Sequence, residues 1–328
     1  LSDERSEDGI ARRLTRFARV SAGLTGVAAR GAGRALSGKK MVSVENAADL
    51  TTVLGKLRGP VMKVAQFVAT VPGVLPKDVA ASLLTLQANA PPMGPAFVRR
   101  RMASELGKDW EKKFKSFSRE AAAAASLGQV HRATGKDGRL LACKLQYPNM
   151  AAAVDTDVRQ FKAALRIQRG FDSTIDTREI GEEVSARLKE ELDYEREAAH
   201  MRLYTIMLAG RSDISVPEPV PALSSKRLLT MRWLDGRPFA DFEKASLAER
   251  NRISTALFKA WWRPFAHYGA IHGDPHLGNY TVRADGGINL LDYGCVRTFR
   301  PEFVAGVIGL YRALQKRDDV LAAKSYRA

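Results

Sequence analysis

Cysteine is nearly missing from this chain: Cys143 and Cys295 are the only two in 328 residues. That excludes a disulfide scaffold and makes a reducing compartment, the cytoplasm, the expectation. Histidine is also sparse, with five residues, and no Cys/His cluster has zinc spacing. No run of 18 apolar residues occurs, so no segment reads as a membrane span. The opening LSDERSEDG is acidic and leads into no short apolar core, so no secretory signal is read. A chain that opens on Leu1 reads as a fragment or a processed product.

Acid is missing from residues 10–40, which carry eight Lys or Arg. Ile10, Leu14, Phe17, Val20, Leu24 and Val27 recur there at helical spacing, with Arg12, Arg16 and Arg19 largely opposite. A basic amphipathic helix of this kind can lie on an anionic membrane surface. Four glycines (Gly23, Gly26, Gly31, Gly33) weaken it, at about 1 kcal/mol each relative to Ala. A solvated basic tail is the plainer reading.

Hydrophobic residues make up 45% and charged residues 27%, an ordinary globular balance that excludes general disorder and collagen. The length suits about two domains or one bilobed one. The 52 Lys and Arg against 36 Asp and Glu give a net charge of +16, which attracts an anionic partner. No nucleic-acid module is recognisable, so nucleic acid is not the expected partner.

The organisation changes near residue 110. Helical patterns fill 45–58, 60–70, 77–88 and 95–106. Segments suited to strands follow at Phe114–Ala124, Ser126–Thr134 and Leu140–Gln146, with a Gly135–Gly138 turn between the last two. Helices are expected at 150–170 and 178–206, strands at 214–220 and 227–233, and a long helix at 246–269. Short strands near 280–283 and 288–291 precede helices from 301 onward. This order gives the expected fold class, α+β, a protein-kinase-like bilobal fold with a helical N-terminal extension. The expected domains are a basic segment (1–44), the extension (45–110), an N-lobe (111–236) and a partial C-lobe (237–328).

The strongest chemical signal is HGDPHLGN at 272–279, followed by LLDYG at 290–294. Kinase catalytic loops space Asp, Asn and Asp-aromatic-Gly as Asp274, Asn279 and Asp292 are spaced here. Nucleotide phosphates need Mg²⁺, a hard ion that prefers oxygen ligands, and Asn279 and Asp292 supply such oxygens. Asp274 can accept a proton from an attacking hydroxyl or water. Upstream, Lys144 sits in the apolar strand LLACKLQ, where burial is costly without an anionic partner. Glu190, Glu191, Asp193, Glu195 and Glu197 all lie on the following helix, and charge alone does not choose among them. The segment that should cover the phosphates is AAAAASLGQVH (121–131), alanine-rich where kinases use glycine, and therefore stiffer. His272 and His276 read as loop braces, and the two cysteines as buried small hydrophobes.

Together these residues resemble the UbiB/ADCK family of atypical kinases, the aarF-domain-containing kinases. Four features occur in order: Lys63-Val64-Ala65-Gln66 within VMKVAQFVATVPGVLPKDVAASLLTLQANAPPM, like the family's KxGQ helix; the Ala-rich segment ending SLGQVH; Glu191-Leu192-Asp193 with the helix beyond it, like the ExD motif; and the HGDPHxGN and DxG pair. The resemblance covers about residues 45–300. It implies that Lys144 contacts phosphate and pairs with Glu197, and that Asp274 occupies the base position. It implies that Asn279 and Asp292 hold Mg²⁺ and that Ala124, Ala125 and Ser126 approach the nucleotide. Met231, Trp233 and Leu234 would lie beside adenine, while Glu191 and Asp193 would face Lys63 and Gln66 of the KxGQ helix. The implied cofactors are ATP or ADP with Mg²⁺. The implied role is ubiquinone (coenzyme Q) or related isoprenoid-lipid biosynthesis, peripherally at a membrane. Quinone-pathway proteins or isoprenoid lipid would be the partners.

Ala65, Leu277 and Tyr293 depart from the family's usual Gly, Pro and Phe, and none is a metal or phosphate ligand. The sequence ends 36 residues after Asp292, earlier than members normally do, so it reads as truncated there. The alternatives are a small-molecule phosphotransferase of the aminoglycoside or choline kinase type and a catalytically silent nucleotide sensor.

Overall fold

The computed structural model describes residues 93–125, 127–148, 150–152, 154–156, 158–159, 177–274 and 276–327. The readings for residues 1–92, including Lys63 and Gln66, and for Ser126 lie outside the described residues. One compact unit is formed by Pro92–Pro148 with Lys189–Ala328, and it holds the candidate site.

Helix α1 (Pro95–Leu106) opens this unit, with Pro95 at its first turn, where a missing N–H costs nothing. A four-stranded antiparallel arrangement follows in the order β1 (Phe114–Ala125), β2 (Gly128–Gly135), β3 (Leu140–Gln146), β5 (Leu228–Arg232). Val98 and Met102 of α1 pack with Trp110, Phe114, Leu141, Cys143, Leu145 and Leu228 into one apolar cluster. Strand alternation puts Cys143 into that cluster and turns Lys144 to the other side. The alanine-rich run is strand, not open loop: Ala123, Ala124 and Ala125 pair with Val130, Gln129 and Gly128.

Gly128 is a position of close approach. A Cβ there would collide with the Leu145 carbonyl and come within 3.1 Å of the Tyr194 hydroxyl. Only glycine lets β2 lie this near β3 at the hairpin.

The helix expected over 178–206 is two helices, α2 (Thr177–Glu191) and α3 (Tyr194–Met207). Asp193 breaks them: its backbone is extended (φ −97°, ψ 90°) and its Oδ1 accepts from Arg196 N at 3.0 Å. This is an N-cap, and the preference of Asp for such caps competes with continuous helix. Asp193→Ala should cost about 1 kcal/mol in urea unfolding. An unchanged midpoint would show that the cap is not stabilising α3.

The strand expected at 214–220 is only β4 (Ile214–Ser215). Pro217 and Pro219 lack the N–H that a longer ladder needs. β4 pairs parallel with β9 (Ile288–Leu290), which pairs with β8 (Tyr280–Val282), then β6 (Arg237–Pro238). Two strands unforeseen in the sequence, β7 (Ala270–His272) and β10 (Val296–Thr298), pair antiparallel. At three residues each they are too short to show a period. The long helix is α4 (Leu247–Tyr268), capped by Ser246 and ended by Gly269 in the left-handed conformation (φ 66°). Helices α5 (Pro301–Lys316) and α6 (Asp319–Arg327) complete the described fold. A second core joins α3, α4 and β7 to β9 through Met201, Tyr204, Ile253, Ala260, Tyr280, Ile288, Leu290 and Tyr293.

Candidate active site

Lys144 reaches from β3 to α3. Its Nζ donates to both oxygens of Glu197, at 2.8 and 3.0 Å, and to Asp292 Oδ2 at 3.1 Å. The ammonium also lies 5.2 Å from the centre of the Tyr194 ring, a cation–π contact. Three chain regions, β3, α3 and the segment after β9, therefore converge on one amine. Lys144 is 7% and Glu197 2% exposed, so both are charges inside the protein. Burial works hardest against the ammonium, yet Asp292 and then Glu197 outweigh it, so the Lys144 amine titrates well above its ordinary value. Burial pushes the Glu197 carboxyl up to about 7, against the downward pull of Lys144.

Of the five acidic candidates for the lysine, Glu197 is thus the one on it. The others do different work. Asp193 caps α3. Glu190 is held between Arg196 and Arg297, each at 2.9 Å, which ties the end of α2 to α3 and β10. Glu191 lies beside the DYG turn: a Cβ on Gly294 would meet its Cγ at 3.6 Å. Glu195 is exposed on the first turn of α3, where a negative charge suits the helix dipole.

Asp292 is aimed by its own turn, since Gly294 N donates to its Oδ1 at 2.9 Å. Its carbonyl accepts from His272 Nε2. His272 is buried, edge-on to Tyr204 and Tyr293 and tilted against Tyr280. A second histidine, His200 of α3, has Nδ1 at 3.0 Å from the Tyr293 carbonyl. Burial lowers its pKa, so the neutral ring donates to that oxygen. Two imidazoles thus hold the DYG backbone from opposite neighbours in sequence. Neither His200 nor Tyr194 stood out in the sequence, because one histidine or tyrosine on a helix has no distinctive spacing.

Asp274 and Asn279 form one loop. Asn279 Nδ2 donates to the Asp274 carbonyl at 3.3 Å, and His276 N donates to Asp274 Oδ1 at 3.4 Å. His276 Nδ1 accepts from Gly278 N at 3.1 Å, so this histidine braces the loop. Leu291 N donates to the Asn279 carbonyl at 2.9 Å. Asn279 and Asp292 therefore sit at the same end of the β8–β9 hairpin. Because Nδ2 of Asn279 is spent on the loop, its amide oxygen is the atom left to present to a ligand. One carboxylate and one amide oxygen fit Mg²⁺, which keeps waters and phosphate oxygens as its other ligands. Among the described residues no three His, Cys, Asp or Glu gather into an all-protein cage.

The remaining expected residues line the same lobe. Ala124 is exposed and Ala125 half-buried at the hairpin end. Met231 is buried in β5 opposite Ala142. Trp233 N donates to the Leu140 carbonyl at 2.9 Å, and its ring is covered by the Arg132 guanidinium at 4.3 Å. Leu234 follows, half-buried, where the chain leaves the sheet.

The SLGQVH segment carries a relay that sequence reasoning missed. Met93 N donates to Gln129 Oε1 at 2.6 Å. The Gln129 amide nitrogen then faces His131 Nε2 at 2.7 Å, and His131 Nδ1 lies 2.9 Å from the Ser118 carbonyl. The donors assign the neutral Nδ1–H form to His131, consistent with burial lowering its pKa. Phe117 stacks on the ring at 5.3 Å. Gln129 and His131 thus fasten the hairpin to the entry of α1.

The family model of the ABC1 atypical kinase-like domain matches residues 85–326. The chain belongs to the ABC1 family of atypical kinases. Relatives within it include the mitochondrial atypical kinase coq-8 of Caenorhabditis elegans, 29% identical over 269 residues, which are 80% of this chain and 36% of that one. The mitochondrial atypical kinase COQ8 of Saccharomyces cerevisiae is 28% identical over 301 residues, 89% of this chain and 60% of that one. The chain therefore spans about a third to three fifths of the length of these two curated relatives. Among solved structures, the complex of Rv3197 with erythromycin from Mycobacterium tuberculosis is 30% identical, with a TM-score of 0.64, covering 87% of this chain and 73% of that chain. The kinase-like α+β fold of this ABC1 chain and its kinship with the aarF-domain and COQ8 kinases agree with the reading of its motifs.

Proposed function

We propose that this ABC1 chain binds ATP or ADP with Mg²⁺ and acts as an ATP-dependent atypical kinase or ATPase supporting ubiquinone or related isoprenoid-lipid biosynthesis at a membrane surface. The carrying observation is the Lys144 ammonium held between Glu197 and Asp292. A buried lysine with two carboxylates is poised for polyphosphate: phosphate oxygens can replace Asp292 while Glu197 keeps the amine in place. Asn279 and Asp292 would hold the metal, which neutralises phosphate charge when bound. Asp274, fixed by the His276 and Asn279 contacts, would accept the proton of the attacking hydroxyl or water. Ala124, Ala125 and Ser126 would lie over the phosphates, with Met231, Trp233 and Leu234 beside the base. Glu191 would face Lys63 and Gln66 of the extension, and Asp193 would serve that carboxylate pair by fixing the start of α3.

The pathway reading draws on the COQ8 kinases among its relatives, whose names place them in mitochondria. Quinone-pathway proteins or isoprenoid lipid are the partners this reading proposes. Two buried free thiols suit a reducing compartment such as the cytoplasm. Among the described residues no helix is long and apolar enough to cross a membrane. The +16 charge and the basic 10–40 segment support peripheral contact with anionic lipid.

The test is nucleotide binding by calorimetry. Asp292→Asn should weaken Mg-ADP at least about tenfold, because the metal loses its one charged protein ligand. Equal affinity in the variant would remove Asp292 from the site. Loss of cellular quinone on deleting the gene tests the pathway, and normal quinone would overturn that part alone. A second reading, phosphate transfer to a small soluble alcohol, draws on the neighbour solved with erythromycin.

A further inference from the structure

Away from Lys144, at the other end of the β8–β9 hairpin, an open cleft of about 540 Å³ lies between that hairpin, α4 and the turn after α3. Its size is that of a small-molecule site. Asn251, Arg252, Thr255 and Lys259 line it from α4. Their spacing (i, i+1, i+4, i+8) puts them along one helix face. All four are hydrogen-bond donors.

Charge in the cleft does not cancel. Asp285 is taken by Arg283, with both guanidinium contacts at 3.0 Å. Asp213 is taken by Arg211, whose Nε donates to it at 2.9 Å. Burial raises the Asp213 pKa, but Arg211 outweighs it, and with Lys259 holds the carboxyl below its ordinary value. The two acids are thus already served. Beyond the longer-range pull of Lys259 on Asp213, neither Arg252 nor Lys259 makes an ion pair within 4.0 Å among the described residues. The Arg252 guanidinium rests on the Gly286 turn, where any Cβ would collide with it. Gly286 has φ 78°, so the turn both needs glycine and leaves room for the arginine. The side chain is an exposed part of the cleft wall, with no hydrogen bond to its planar donors among the described residues. An arginine fork, a lysine and a threonine hydroxyl on one wall match the oxygens of a phosphate monoester.

We propose that this cleft is a binding site for a phosphate monoester, separate from the nucleotide site, with Arg252 and Lys259 as its charged ligands and Asn251 and Thr255 as its hydrogen-bond donors. The site stands on the hairpin whose opposite end carries Asn279 and Asp292. Each strand of that hairpin is three residues long, so at ~3.3 Å per residue the two ends are about 10 Å apart. A ligand seated on the Gly286 turn therefore bears on the segment that aims the metal ligands.

The monoester can come from a soluble metabolite or from the headgroup of phosphatidic acid, and two arms separate these. In the first, glycerol 3-phosphate is titrated into the full chain without nucleotide at physiological salt. Saturable binding that falls at least tenfold in Arg252→Glu/Lys259→Glu, and is unchanged in the control Arg317→Glu, is expected. These residues are exposed, so folding is not at stake, and thermal unfolding of each variant confirms it. Binding unchanged in the double variant, or weakened equally by the control, overturns the proposal, as does no binding at all. In the second arm, vesicles of phosphatidylcholine with phosphatidic acid are sedimented with the chain. Sedimentation with the vesicles that glycerol 3-phosphate competes away and that falls in the double variant assigns the headgroup; glycerol 3-phosphate binding with no such sedimentation assigns the soluble ligand. The titration needs no nucleotide, so its outcome is independent of the kinase reading.

Discussion

Lys144→Met should destabilise the fold by about 3–5 kcal/mol in urea unfolding at about pH 8, the usual cost of stripping one partner from a buried ion pair. Two carboxylates face that amine, at 2.8 and 3.1 Å, so the substitution leaves Glu197 buried beside Asp292 with no cation between them. The deficit should be pH-dependent. Glu197 titrates near 7 with the lysine present, pushed up by burial. Without the ammonium's downward pull it titrates higher still, whereas the unfolded carboxyl ionises near ~4.3. Between those values the folded variant binds a proton that the unfolded chain does not. Its stability therefore rises as pH falls, and rises more than that of the unsubstituted chain. The deficit at about pH 5.5 should be visibly smaller than at about pH 8. A deficit under about 1 kcal/mol, or one that grows in acid, would show that Lys144 and Glu197 are not paired inside the protein.

Gly128→Ala should be nearly as damaging, at about 3 kcal/mol, the upper part of the range for overpacking. The obstacle is the Leu145 carbonyl, which belongs to the β2–β3 ladder and cannot swing away as a side chain would. Relief requires moving β3, and Lys144 moves with it. The substitution should therefore lower nucleotide affinity as well as the unfolding midpoint, read by calorimetry and by urea titration of the same sample. Wild-type values in both would mean the strands tolerate a wider separation at this hairpin.

The parts of the fold that were legible in the sequence are those with a period or a punctuation mark. The alternating LLACKLQ, the Gly135–Gly138 turn and the long amphipathic α4 place themselves. What was not legible had a local competitor. Asp193 read as one more acid on a helix face, yet as a cap it ends the helix. Pro217 and Pro219 shortened a strand whose apolar content suggested seven residues. β7 and β10 are too brief to announce themselves and exist because each supplies the other's hydrogen bonds. In the candidate site, Asp274, Asn279 and Asp292 stood out because the proposed nucleotide chemistry would call for those residue types at that spacing. Which acid meets Lys144 was not readable from charge; it depends on the α2–α3 break, which sets the face on which Glu197 emerges. His200, Tyr194 and the Gln129–His131 relay stayed hidden because their roles arise from contacts 50 to 100 residues apart or from one backbone amide.

That backbone amide has a practical meaning for anyone trimming the gene. The hairpin is moored by the main chain of Met93, not by a side chain that could be replaced. A shortened version of the kinase-like unit must start upstream of residue 93. Begun even one residue later, it would leave Gln129 with an idle acceptor and the hairpin without its mooring.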